Sequence, residues 1–289
     1  MIHKLLINLD TQPKRLINTL NELKKIDEND YIIRINACSD EKAKQQYYKY
    51  ISSAALNNIN NIQNTAILPN YAAVGCAISH IKCWEYIVNN NLETTIIMED
   101  DIEFKNESKF KIEFNKIKKL IKKHNDIAFF FTLNSLQKKN TNSNYCYCET
   151  EKSILNTELE IEKIRNVFIG TFFYLINNKM AKLLLDNIYN IKYQIDIEIG
   201  LFAKKYIYND NKAIFLNIKT DTLQISKKFK STIQYYNITL QELEDIFSIS
   251  EDIALCIYNY IPTCFKKNKQ LNINNNEIYN YENSINFLY

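Results

Sequence analysis

The feature that most constrains the fold is the alternation within the first 37 residues. A compact apolar run, KLLINL (4–9), is followed by a stretch with one apolar stripe, and then by a second apolar run, DYIIRINA (30–37). In the intervening stretch Asp10 or Thr11 can cap a helix, Pro13 suits its first turn, and Leu16, Leu20 and Leu23 recur at helical spacing. A buried strand, an amphipathic helix and another strand open an α/β fold with a parallel sheet.

The pattern continues along the chain. AAVGCAISHIKCWEYIVNNN (72–91) reads as a helix, with Ala77, Ile81, Trp84 and Val88 on one face. TTIIM (94–98) is a strand, and about 107–124 is a second amphipathic helix carrying Phe110, Phe114, Ile117 and Ile121. DIAFFFTL (126–133), NVFIGTFFYLI (166–176, with a break at Gly170) and KAIFLNI (212–218) read as further strands, and 178–191 and 195–206 as helices. Residues 41–70 suggest irregular structure with a short helix, and 138–153 a polar loop. The expected organisation is one α/β domain over 1–225, with a mostly helical extension over 226–289. With 3 Gly and 3 Pro in the chain, a flexible linker between them is not expected.

Several function classes are set aside by composition. The net charge of +3 is too balanced for a nucleic-acid binder. The opening MIHKLLINLD turns polar too soon for a signal peptide, and no apolar run approaches the roughly 18 residues of a membrane span. Seven cysteines without a secretory signal read as reduced thiols in a cytoplasmic protein. Cys146 and Cys148 lack the second close pair that a structural zinc site needs.

Chemistry is suggested by TTIIMEDDIEF (94–104), where Glu99, Asp100 and Asp101 follow a buried strand. Strand alternation would put Glu99 and Asp101 on one side and Asp100 on the other. Paired carboxylates at the carboxyl end of a sheet strand suit a hard cation, Mn²⁺ or Mg²⁺, and open α/β sheets bind ligands at that end. The alternative is a solvated turn.

Four segments resemble glycosyltransferase family 25, the bacterial lipooligosaccharide galactosyltransferases related to collagen galactosyltransferases. They are INLDTQPKRL (7–16), GCAISHIKCWEYI (75–87), IIMEDDIEF (96–104) and GTFFYLINNKMAKLLL (170–185), in the family's order, with a weaker fifth, QIDIEIG (194–200). Two departures are NYAAVGC, where the family often has Gly-Glu before Gly-Cys, and Ile195, where Pro is usual. The resemblance implies a GT-A-like α/β fold, a single Rossmann-type mixed sheet flanked by helices, and a nucleotide-sugar transferase. Asp101 is the first choice of metal ligand and Glu99, on the same side, the second, for the metal or the donor ribose; Asp100 is placed with the substrate-binding residues or turns inward to hold the loop. Asn8 and Arg15 are expected to meet the nucleotide or its phosphates, Ser79 and His80 to lie near the donor, and Gly170 and Thr171 to let backbone approach the sugar. The family is described as inverting, so one general base is required, for which Asp196 is the first candidate and Glu198 and Asp221 are fallbacks.

The expected activity is metal-dependent transfer of galactose, or glucose, from a UDP-sugar to a glycolipid or oligosaccharide acceptor. Basic stretches SKKFKST (226–232) and FKKNK (265–269) suggest peripheral contact with an anionic membrane. Two alternatives stand beside it. One is a metal-dependent phosphoryl-transfer or phosphatase-type enzyme using Asp10, and the other a non-catalytic glycan-binding module.

Overall fold

The computed structural model describes residues 2–28, 30–61, 68–134, 159, 161–164, 170–209, 213–226 and 228. Its strands are β1 (His3–Asn8), β2 (Ile32–Asn36), β3 (Thr94–Glu99), β4 (Ile102–Phe104), β5 (Ala128–Asn134), β6 (Ile161–Lys163), β7 (Phe173–Asn177), β8 (Ala213–Lys219) and β9 (Leu223–Ile225). Its α-helices are α1 (Pro13–Lys25), α2 (Asp40–Gln46), α3 (Ser53–Asn61), α4 (Tyr71–Asn89), α5 (Glu107–His124), α6 (Asn178–Asn187) and α7 (Ile195–Asn209).

Seven strands form one mixed sheet in the order β2-β1-β3-β7-β5-β8-β6. The pairs β1/β2, β1/β3 and β5/β8 are parallel. Strand β7 runs antiparallel between β3 and β5, and β6 is antiparallel at the edge. Successive residues point to opposite faces. Leu5 and Ile7 of β1, Ile97 of β3, and Tyr174 and Ile176 of β7 join α4, α6 and α7 in one apolar layer. Leu6, Ile96, Met98, Phe173 and Leu175 join α1 and α5 in the other. A sheet buried on both faces is what the continuous apolar runs require, and the expected single mixed sheet with flanking helices is the one that forms.

The many asparagines have local work at helix starts. Asn70, Asn106 and Asn177 each accept the amide two or three positions into α4, α5 and α6, and Ser39 does so for α2. Some boundaries differ from expectation. The helix placed at 178–191 ends at Asn187, and the strand placed at 166–176 begins at Phe173. The region 41–70 contains α2, a 3₁₀ turn (Tyr47–Lys49) and α3. The antiparallel ribbon of β4 and β9 was not anticipated. The polar stretch 138–153 and almost all of the expected extension 226–289 lie outside the described residues.

Gly75 sets how closely α4 approaches the chain after β2. A methyl group there would overlap the carbonyl oxygen of Cys38. Backbone on both sides leaves little room for relief, so Gly75→Ala is expected to destabilise the protein by about 1–3 kcal/mol, read from the midpoint of urea denaturation.

Candidate active site

The carboxyl ends of β1, β2 and β3 open on a cleft of about 390 Å³, within the roughly 300–1,000 Å³ range of small-ligand sites. Asn8, Arg15, Ser79, His80, Glu99 and Asp100 all line it, together with the turn between β2 and α2. Six sequence-predicted residues, drawn from three separate segments, thus meet at one edge of the sheet.

Strand β3 ends at Glu99, and Asp100 and Asp101 occupy a turn before β4. The alternation expected for these acids therefore stops one residue too early. Instead of facing opposite ways, Asp100 and Asp101 both reach Arg15, whose Nη2 lies 2.6 Å from Asp100 Oδ1 and 3.0 Å from Asp101 Oδ2. Asn8 Nδ2 donates to Asp100 Oδ2 at 2.6 Å, and Asn8 Oδ1 accepts from Arg34 Nε at 2.9 Å. The turn is anchored beyond the acids as well. Buried Glu22 of α1 accepts the Phe104 amide, and the Asp101 carbonyl accepts the amide of Ser226.

Crowding these charges has a protonic consequence. Burial raises the Asp101 carboxyl to about 7, the Glu99 charge pushes the same way, and Arg15 opposes both. Burial raises Asp100 too, against the pull of Arg15 and Asn8. Asp101 Oδ1 is buried and has no hydrogen-bond partner among the described residues. A carboxylate oxygen left in that condition, beside two more acids, suits a hard cation.

Glu99 is held from the other side. Burial works against its ionisation, but His80, Thr171 and Arg15 together keep its carboxyl below the ordinary value. His80 Nε2 lies 3.5 Å from Glu99 Oε1, and Thr171 Oγ1 donates to the same oxygen at 3.3 Å. His80 is fully buried, and its Nδ1 shares a 3.0 Å hydrogen bond with the Tyr174 hydroxyl. That hydroxyl also accepts from Trp84 Nε1 at 3.0 Å. A chain of polar contacts thus runs from Trp84 through Tyr174 and His80 to Glu99. Ser79 is committed to backbone at both ends, accepting the Cys38 amide and donating to the Gly75 carbonyl. It pins α4 to the turn after β2.

Asp196 lies in the first turn of α7 and is 7% exposed. Its two oxygens accept the amides of Gly170 and Ile197, at 3.1 and 2.9 Å. Burial nonetheless raises its carboxyl, against those hydrogen bonds. Gly170 has φ 100°, a conformation that favours glycine, and brings the entry to β7 against Asp196. The fallback bases are otherwise engaged. Glu198 accepts the amides of Lys192 and Tyr193, closing the loop before α7, and exposed Asp221 pairs with Lys109 at 2.6 Å. Asp10 is gripped by Arg34 and Asn36, which hold its carboxyl low. The roles of Tyr174, Trp84, Arg34 and Glu22 had no sequence signal, since each acts through a partner distant in the chain.

Residues 1–199 match the profile of glycosyltransferase family 25, described as LPS biosynthesis protein, and the chain belongs to that family of glycosyltransferases. No curated protein matches. Among solved structures, similarity is found to a protein described as a glucose-1-phosphate thymidylyltransferase from Bacillus anthracis, in complex with sucrose. That comparison has 10% identity and a TM-score of 0.36, and covers 78% of this chain and 89% of the other. Another is mannose-1-phosphate geranyltransferase from Thermus thermophilus, at 8% identity and a TM-score of 0.37, covering 77% of this chain and 75% of the other. Scores this low bear on neither substrate nor mechanism. Among the described residues no helix is long and apolar enough to cross a membrane.

The raised Asp101 carboxyl makes stability depend on pH. The folded protein holds a proton that the unfolded chain releases near 3.8, so stability rises as pH falls from about 7. Glu99, held low from 4.5, contributes no opposing change until more acidic pH. Asp101→Asn is therefore expected to remove about 2 kcal/mol of the stability difference between roughly pH 7.5 and 5, measured by urea denaturation at both.

Proposed function

We propose that the protein is a metal-dependent, inverting hexosyltransferase that moves galactose, or glucose, from a UDP-sugar to a lipooligosaccharide or other glycan acceptor. The observation that carries this reading is the acid turn: Glu99 and Asp100 line the cleft at the carboxyl ends of β1 and β3, and Asp101, next in the chain and outside the lining, has one buried oxygen unmatched. Asp101 first, and Glu99 beside it, would hold Mn²⁺ or Mg²⁺. Such an ion supplies Lewis-acid neutralisation of the charge that develops on a departing diphosphate.

The chain's own groups take the remaining work. Arg15 keeps Asp100 and Asp101 together and offers a planar fork to an anionic donor. Asn8 orients Asp100 and, at the floor of the cleft, stands where a base or ribose would meet β1. His80 and Thr171 fix the rotamer of Glu99. Asp196 is the proposed general base, because burial moves its carboxyl toward the working pH and Gly170 aligns it. Inversion needs no second nucleophilic carboxylate, in keeping with one such acid beside the Gly170 turn. A cytoplasmic enzyme touching an anionic membrane through 226–232 and 265–269 would meet a lipid-linked acceptor at its surface.

The alternative phosphoryl-transfer reading needs Asp10 as nucleophile. Arg34 and Asn36 hold that carboxyl low, which makes it a poorer nucleophile.

A screen of UDP-sugars for Mn²⁺-stimulated release of UDP tests the proposal. Asp101→Ala is expected to abolish stimulated release while the circular dichroism spectrum is unchanged; undiminished turnover would remove the metal role. Asp196→Asn is expected to lower kcat by about 10²–10⁴-fold with UDP binding retained by calorimetry. A near-normal rate in that variant would return the base to another acid.

A further inference from the structure

Cys76, His80 and Glu99 present one ligand atom each, all within 4.8 Å of one another. Two come from one face of α4, four residues apart, and the third from the end of β3. His80 is fully buried, and its Nε2 makes no hydrogen bond among the described residues, although it faces Glu99 at 3.5 Å. A buried ring nitrogen left in this way, aimed between a thiol and a carboxylate, points to a ligand. A tetrahedral zinc site places its nitrogen and oxygen ligands about 3.3 Å apart, and sulfur about 3.6 Å from either. His80 and Glu99 already stand 3.5 Å apart, and the thiol, within 4.8 Å of both, would close by up to about 1.2 Å to reach that arrangement.

We propose that Cys76, His80 and Glu99 form a three-ligand site for a zinc-class cation, separate in chemistry from the all-oxygen site of Asp101. A thiolate and an imidazole select Zn²⁺ over Mn²⁺ or Mg²⁺, which favour oxygen. All three residues line the cleft, so the fourth coordination position opens toward it. The Tyr174 hydroxyl, 3.0 Å from Nδ1, is the outer partner that a metal-bound imidazole uses, and Trp84 holds that hydroxyl in place. A cation bound there takes the place of the Cys76 thiol proton, which leaves to solvent. Glu99 belongs to both sites, so zinc occupancy withdraws it from the transfer site. The effect on turnover rests on the transferase reading; the binding does not.

The test uses the full chain with Cys146 and Cys148 changed to serine, so that this close pair contributes no thiolate. One equivalent of Co²⁺ is expected to give thiolate-to-cobalt charge-transfer absorption that Zn²⁺ displaces. Cys76→Ser is expected to remove the absorption, whereas Cys83→Ser, on the same helix but outside the cluster, keeps it. Tyr174→Phe is expected to keep the absorption and weaken Zn²⁺ about 10–100-fold in competition with a chromophoric chelator. Absence of the band, or its persistence in Cys76→Ser, would overturn the site. A band that behaves as expected, in a protein that stays inactive with every UDP-sugar once zinc is removed and Mn²⁺ supplied, upholds the site and sinks the UDP-sugar reading alone.

Discussion

The turn after β3 depends on Arg15, because three consecutive carboxylates at the end of a buried strand repel one another and lose hydration as well. The guanidinium answers both costs at once by reaching Asp100 and Asp101 from α1. Such a buried pairing adds little net stability compared with an apolar substitute, yet removing the cation alone would leave charge stranded. Its effect is specificity. It ties the first helix to the third strand and fixes which way the acids face. Asn8 and Glu22 extend the same restraint to β1 and β4.

The two faces of the sheet contribute differently to the site. On one face, α1 supplies Arg15 and Glu22, which define the acid turn. On the other, α4 supplies His80, Ser79 and Cys76, packed close to the backbone because Gly75 has no side chain. The antiparallel strand β7 then inserts Tyr174 beneath His80 and brings Thr171 to Glu99. Glu99 is consequently held from two layers of the fold, which is why its carboxyl stays low while Asp101, its near neighbour, is pushed up to about 7.

Local pattern sufficed for the elements with strong periodicity. The first strand–helix–strand unit, α4 and α5 are close to where the apolar spacing puts them, because each has a continuous buried stripe. The short strands β4 and β9 were not legible, since three residues carry no period and the paired Glu103 and Gln224 are 121 positions apart. The site was legible as a set of residues rather than as geometry. Asp101 was expected beside Glu99 by strand alternation, but the strand ends at Glu99, and a charge on a distant helix decides where the next two acids point. Asp196 was expected as the general base. It sits just inside α7 and binds an amide of its own helix and one of Gly170, a contact no spacing rule contains.

Strand β5 runs toward the cleft edge, and β7, antiparallel to both β3 and β5, starts from that edge. The chain between Asn134 and Gly170 therefore departs and returns on the same rim as the acid turn. Among the described residues between those two points, β6 alone joins the sheet, so a change of length there bears on the β6/β8 ladder at the far edge and on no other.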